Sequence, residues 1–211
     1  MPEPTQVILR LLHVDAGLLV VDKPAGLLSV PGRLAENRDC LITRLQTLYP
    51  DALTVHRLDQ VTSGLMVVAR NAVVQRTLSQ AFAERRVEKT YQAIVQGVMD
   101  ADGGRIDLPL ICDWPNRPRQ KVDREAGKSA VTDWLVLERD ALRRRTRLEL
   151  KPLTGRTHQL RLHLASIGHP IVGDVLYGAA PAERVMLHAA ELAFAPTDTQ
   201  ERLTFHSTPP F

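Results

Sequence analysis

Nine consecutive residues, His56-Arg57-Leu58-Asp59-Gln60-Val61-Thr62-Ser63-Gly64, set an acid two positions after an arginine and end in a Thr-Ser-Gly turn. The apolar run Leu65-Met66-Val67-Val68-Ala69 follows directly. A turn of this kind before a buried strand puts the Asp59 carboxylate at the mouth of a sheet, where loops carry chemistry. The competing reading is structural, an Arg57–Asp59 pair that closes the turn. His56 beside Asp59 also raises a hydrolytic base, but the chain has neither a G-x-S-x-G elbow nor an activated cysteine context. A glycosidic hydrolase would use a pair of facing carboxylates, and the other motif acids, Asp22 and Asp174, fall in separate turns.

A second dense segment is Leu153-Thr154-Gly155-Arg156-Thr157-His158-Gln159-Leu160-Arg161-Leu162-His163-Leu164. A strand ending near Leu153, a turn at Gly155 and a helix opening on polar residues would aim backbone N–H groups at a phosphate or carboxylate. Arg156 and Arg161 add donors for either anion, with His158 between them. The alternative is a capped amphipathic helix with a solvated basic face. Arg161 weighs against it, because it lies between Leu160 and Leu162 near the apolar stripe. An arginine there needs a carboxylate, and Asp59 is the acid expected to meet it. A metal site is not expected: His158 and His163 stand about 140° apart around a helix, and no cysteine joins them. Gly127-Lys128-Ser129 imitates the end of a phosphate-binding loop, but Val122 stands where its first glycine belongs.

Basic residues gather in three groups: Arg117, Arg119, Lys121, Arg124 and Lys128; Arg85, Arg86 and Lys89; and Arg143, Arg144, Arg145 and Arg147. Helix ends and solvated turns account for such residues singly. Three groups in a chain of 27 basic and 24 acidic residues nonetheless read as a phosphate-tracking surface. With aromatics at 4%, a sheet of stacking rings is not expected, and recognition of shape and of a flipped base fits better. Tyr91, in Lys89-Thr90-Tyr91-Gln92-Ala93-Ile94-Val95, shares a strand face with Ala93 and Val95, where an ordinary core tyrosine is the plain alternative.

The elements that must position these residues follow from periodicity and punctuation. Strand-like runs cover Val7–Leu12, Leu18–Asp22, Leu65–Ala69, Thr90–Val95, Ala130–Leu137, Thr146–Leu150 and Arg202–Phe205. Asn71 is placed to cap a helix reaching Arg86, with Val74, Leu78 and Ala81/Phe82 at helical spacing. A second helix runs from about Arg156 to Ile167, stopped by Gly168 and Pro170, and Leu41–Leu48 is a shorter third. Strands and isolated helices without regular alternation predict an α+β fold with a mixed, mainly antiparallel sheet. Pro109–Pro118 reads as an ordered loop, so one domain over the 211 residues is expected. Composition (44% hydrophobic, net charge +3) fits a soluble protein; no apolar run spans a bilayer, and Cys40 and Cys112 stand far apart as inert thiols of a reducing cytoplasm.

Taken in order, these segments resemble the RluA family of pseudouridine synthases. The resemblance rests on His56–Gly64, on Lys89–Gly97, and on Gly155–Arg161 continuing through Gly168-His-Pro-Ile-Val-Gly-Asp-Val-Leu-Tyr-Gly178. Met186-Leu187-His188-Ala189 and the opening Val21-Asp22-Lys23-Pro24-Ala25-Gly26 complete it, so it covers nearly the whole chain. It implies one catalytic domain, a mixed central sheet with flanking helices and a central cleft, and no S4 RNA-binding domain. It implies isomerisation of uridine in RNA without metal or cofactor, by a cytoplasmic enzyme expected to be a monomer.

By the same resemblance Asp59 is the catalytic aspartate, Tyr91 packs on the target base and Arg161 pairs with Asp59. Leu187 gives an apolar floor, Arg57 helps extrude the nucleotide, and His56, Arg156 and His158 belong to the substrate-binding set. The chemistry suits these types. The uridine must leave its stack before C5 is presented to C1′. Breaking the glycosidic bond builds positive character at the sugar, which the Asp59 carboxylate would stabilise or attack, and removal of a 2′ proton is the other route open to it. Gly26–Arg33 and Asp107–Pro118 resemble the RluA subfamily, which implies two targets: the first nucleotide of some tRNA anticodon loops and a hairpin loop of 23S rRNA. Another uridine for the same chemistry, or a noncatalytic RNA-binding protein, are the alternatives.

Overall fold

In chain order the computed structural model, which describes residues 9–32, 35–196 and 201–211, begins with β1 (Arg10–Val14), β2 (Leu18–Lys23), α1 (Leu41–Leu48), β3 (Leu53–Thr54), β4 (Ser63–Ala69) and α2 (Ala72–Ala83). It continues with β5 (Glu88–Gln96), β6 (Gly103–Asp107), β7 (Leu110–Cys112), β8 (Gln120–Val122), β9 (Val131–Asp140) and β10 (Arg145–Pro152). The last elements are α3 (Gln159–Ser166), β11 (Leu187–Phe194) and β12 (Leu203–His206). The fold is α+β, as composition and punctuation predict. Backbone contacts divide it into two compact units, residues 1–87 with 192–207, and 88–191 with 208–211.

In the first unit β2 and β4 pair antiparallel, Leu18 opposite Ala69 and Lys23 opposite Gly64. Both strands are apolar over nearly their whole length, so they are buried on both faces. β1 extends the sheet beyond β2, β3 pairs with β4, and β11 and β12 complete it. The first predicted strand begins two residues outside the described chain, at Val7 and Ile8, and Arg33 of the Gly26–Arg33 segment lies outside it as well. α2 covers this sheet: Val74, Leu78 and Ala81 recur on one face and pack with Leu18, Val20, Leu65 and Val67. Asn71 Oδ1 accepts the Val74 N–H at 2.9 Å, the predicted cap. The helix ends at Ala83, short of Arg86, because Arg85 turns left-handed (φ 63°) and the Arg86 N–H reaches back to Ala81 O.

In the second unit the strand order is β11-β5-β10-β9-β6, with β7 and β8 forming a separate antiparallel hairpin. β10 lies antiparallel between β5 and β9, and Leu148 and Leu150 are fully buried. Sequence reading found no strand at Leu187–Phe194, where alanine, histidine and glutamate dilute the β-branched signal. The Pro109–Pro118 stretch is ordered as expected, and holds β7 and a short 3-10 turn at Trp114–Asn116. Helix α3 begins at Gln159, later than the expected Arg156, after His158 in the left-handed region (φ 54°). It stops at Gly168 (φ 87°), whose N–H meets Ala165 O while His169 N–H meets Leu164 O.

Candidate active site

Asp59 ends an extended segment that runs from Val55 and turns at Gln60–Val61 into β4. Its own carbonyl closes that turn by accepting the Thr62 N–H at 3.1 Å. The segment is fastened on both sides of the acid. Upstream, Ser29 Oγ donates to Leu58 O (2.7 Å) and accepts the Leu58 N–H (3.1 Å). Downstream, the Gly26 N–H donates to Gln60 O, and the Gln60 side-chain amide donates to Gly26 O. Lys23, 0% exposed at the end of β2, drives its ammonium into the same turn and donates to Pro24 O (2.9 Å), Leu27 O (2.8 Å) and Gln60 O (3.2 Å). Charge-assisted hydrogen bonds from a buried ammonium to three carbonyls hold this turn in place. Asp59 itself is half-buried and Arg57 is exposed.

His56 has structural work within this segment. Its ring stacks on Phe82 (centroids 4.3 Å apart), and Nε2 accepts the Val67 N–H of β4 at 3.1 Å. Asp22 is not in a turn: it belongs to β2, opposite Leu65, and accepts a hydrogen bond from Ser207 Oγ.

In the second unit the polar segment before α3 is built inward. Gln159 Oε1 accepts from Thr154 Oγ1 (2.7 Å) and from the Arg156 N–H (3.0 Å), while its amide donates to Val131 O and Thr132 Oγ1. His163, fully buried, donates from Nε2 to Leu108 O and accepts from Thr132 Oγ1 at Nδ1. Burial holds its pKa below the usual histidine range, so it stays neutral. The solvated basic face is therefore absent from α3: Gln159 to Leu164 are all buried. The Arg156 amide is satisfied inside the loop, and its guanidinium donates to Ser129 O while the side chain stays exposed.

Arg161 is 4% exposed, and its Nε and Nη2 donate to the two oxygens of Asp174 at 2.7 and 2.8 Å. From the sequence, Asp59 is the acid expected for Arg161 and Asp174 falls in a turn. The fork-on-fork pair makes Asp174, itself 1% exposed, a buried carboxylate partner of Arg161. The signal was present in Gly173-Asp174-Val175-Leu176-Tyr177-Gly178, where both glycines take positive φ (84° and 92°). A Cβ on Gly173 would meet Arg184 O at 2.1 Å, so this tight turn needs its glycine.

The same turn presents Tyr177, whose ring lies beneath the Arg161 guanidinium (5.2 Å). Its hydroxyl shares a hydrogen bond with His158 Nδ1 (2.8 Å) and accepts the Gln120 N–H (2.9 Å). His158 and Arg161 are thus brought together by one tyrosine, Tyr177. Tyr91 lies on β5 opposite Leu150, half-buried beside the fully buried Ala93 and Val95, and Leu187 begins β11 with 2% exposed.

The family model for RNA pseudouridylate synthase matches residues 17–166, a stretch that holds the Asp59 turn, β5 and α3. The chain belongs to the RNA pseudouridylate synthase family. Among pseudouridine synthases it is 52% identical over 185 residues to the "Dual-specificity RNA pseudouridine synthase RluA" of Yersinia pestis, covering 86% of this chain and 89% of that one. It is 47% identical over 212 residues to the protein of the same name in Escherichia coli K12, covering 99% and 96%. Its fold matches the human RNA pseudouridylate synthase domain containing 1 with a TM-score of 0.83 at 33% identity, over 99% of this chain and 87% of that one. As a pseudouridine synthase this chain is an isomerase acting on RNA, and the similarity places it in the RluA subfamily. Among the described residues no helix is long and apolar enough to cross a membrane.

Proposed function

We propose that this RNA pseudouridine synthase modifies the first nucleotide of the anticodon loop in some tRNAs and a uridine in a hairpin loop of 23S rRNA, with Asp59 as its catalytic aspartate. The observation that carries the assignment of Asp59 is the fastening of its turn by Ser29, Gly26 and the buried Lys23. A reacting group must be held to within a fraction of an ångström, and this turn is held at the residues on either side of the acid. The dual target rests on similarity to relatives named for dual specificity.

In this reading the nucleotide leaves the RNA stack and its uracil meets Tyr91 and Leu187. Arg57, exposed next to the turn, assists extrusion. Arg161 supports the charge of Asp59, while Arg156 and His158 meet the RNA backbone. His56 contributes by holding the Asp59 segment against β4. The N1–C1′ bond breaks, the base turns, and C5–C1′ forms; C5 gives up a proton and N1 gains one, so no redox partner is required. The whole described chain acts as one catalytic domain, as a monomer in the cytoplasm.

The test is Asp59→Asn in the full chain. Pseudouridine in an anticodon stem-loop RNA and in a 23S hairpin should fall to background while binding of both RNAs stays within about threefold of the parent. Residual isomerisation in that variant would overturn the role of Asp59. Mapping of tRNA and 23S rRNA from cells lacking the protein tests the targets: loss at one anticodon-loop position and one rRNA hairpin is expected, and loss at any other uridine would replace them.

A further inference from the structure

The three basic groups do not stand equally open to a polyanion. Arg143 is paired with Asp140 (2.9 Å), Arg147 reaches Glu138 and the Phe211 carbonyl, and Arg86 holds Glu84 (2.8 Å). On the β7–β8 hairpin and the turn after it, only Lys121 has an acid, Asp123 at 3.4 Å. Arg117, Arg119, Arg124 and Lys128 are exposed and in no ion pair among the described residues.

Trp114 stands in the same hairpin. It is 63% exposed, the only exposed residue among the nine aromatics of the chain. The Arg117 guanidinium lies 4.7 Å from its ring centroid. An indole left in water costs burial free energy that a fold would otherwise recover, and an exposed ring with an arginine beside it offers a base both a stacking face and a cation. The support beneath is firm. Asp113 O accepts the Asn116 N–H, Asp113 N–H meets Arg119 O, and the Gln120 N–H is anchored on Tyr177. Asp123 accepts the Glu125 and Ala126 N–H groups, and Lys128 exchanges two backbone hydrogen bonds with Leu110.

We propose that Trp114, backed by Arg117, is a stacking platform for an unpaired base of the RNA loop, with Arg119, Arg124 and Lys128 holding the phosphates around that base. The inference rests on RNA being the substrate and adds a site at which loop RNA is told from duplex. A duplex offers phosphates to the basic side chains but no open base face, so it gains the charge contacts alone. The stacked base differs from the reacting uridine, which the proposed mechanism puts against Tyr91.

The test uses the full chain with a synthetic anticodon stem-loop RNA and a blunt duplex of the same stem. In W134F, Trp114 is the sole tryptophan. Its fluorescence should be quenched by the stem-loop and not by the duplex. Trp114→Ala should raise the stem-loop Kd about tenfold, in line with the loss of one stacked base, and leave duplex binding unchanged. Trp114→Phe should recover most of the loss. The slope of log Kd against log salt should stay the same in W114A and drop by about one in R124A. Equal stem-loop affinity of W114A and the parent, or equal quenching by both RNAs, overturns the proposal. Pseudouridine is measured separately: product formed from RNA that W114A binds like the parent sinks the platform and spares the reaction. RNA that binds through Trp114 without yielding product does the reverse.

Discussion

Asp59 and Arg161 each depend on contacts from outside their own segments. The acid sits on a turn whose backbone is gripped from both sides by hydrogen bonds. The arginine is held by its own side chain, through a buried fork to Asp174 and a ring beneath it. Taking away one member of a buried pair leaves a poorly compensated charge, a more severe loss than deleting a surface bridge. Asp174→Ala should therefore destabilise the protein by about 3 kcal/mol, read as a lowered denaturation midpoint. Arg70→Ala, which breaks a partly exposed bridge to Asp51, should cost under about 1 kcal/mol. A D174A variant as stable as its parent would show that Arg161 does not depend on that acid.

Short elements do most of the positioning in the second unit. The 3-10 turn Val175–Tyr177 carries Tyr177 to the point where His158, Arg161 and the β8 backbone meet. Tyr177→Phe keeps the ring under Arg161 and removes the hydroxyl, leaving the Gln120 N–H without that acceptor. A loss of about 1–2 kcal/mol is expected, with the Gln120 amide exchanging its hydrogen faster. Unchanged exchange at Gln120 would mean the hairpin is held some other way. The two helix starts show why local reading succeeds in one place and slips in another. At α2 the Asn71 cap is a contact between residues three apart, and the sequence names both. At α3 the expected start assumed free amides at Gly155–Arg156; Gln159 instead turns back to occupy the Arg156 N–H while bonding to Val131 and Thr132, partners 28 and 27 residues away.

Across the molecule, the first unit's core is assembled from distant parts of the chain. Leu192 and Phe194 of β11 pack with Leu18, Val20, Leu65 and Val67, so the unit is incomplete until the chain returns after residue 191. Phe194 is 1% exposed, and Phe194→Ala should cost about 3–5 kcal/mol by urea denaturation of the whole chain. A cost below about 1 kcal/mol would contradict its place in that core.

The reaction class is legible in one sequence through its resemblance to a family. The fold class and the turn that bears Asp59 are legible because they depend on residues that are neighbours along the chain: an acid before a Thr-Ser-Gly turn, an asparagine cap, a glycine stop. Three features needed the fold. Arg161 meets Asp174 across thirteen residues, Lys23 reaches a carbonyl beside Asp59 from thirty-seven residues away, and Leu187–Phe194 is a strand in spite of its weak propensity. Each is decided by burial. A buried charge or strand takes whichever partner close packing brings to it, and close packing is a property of the folded chain.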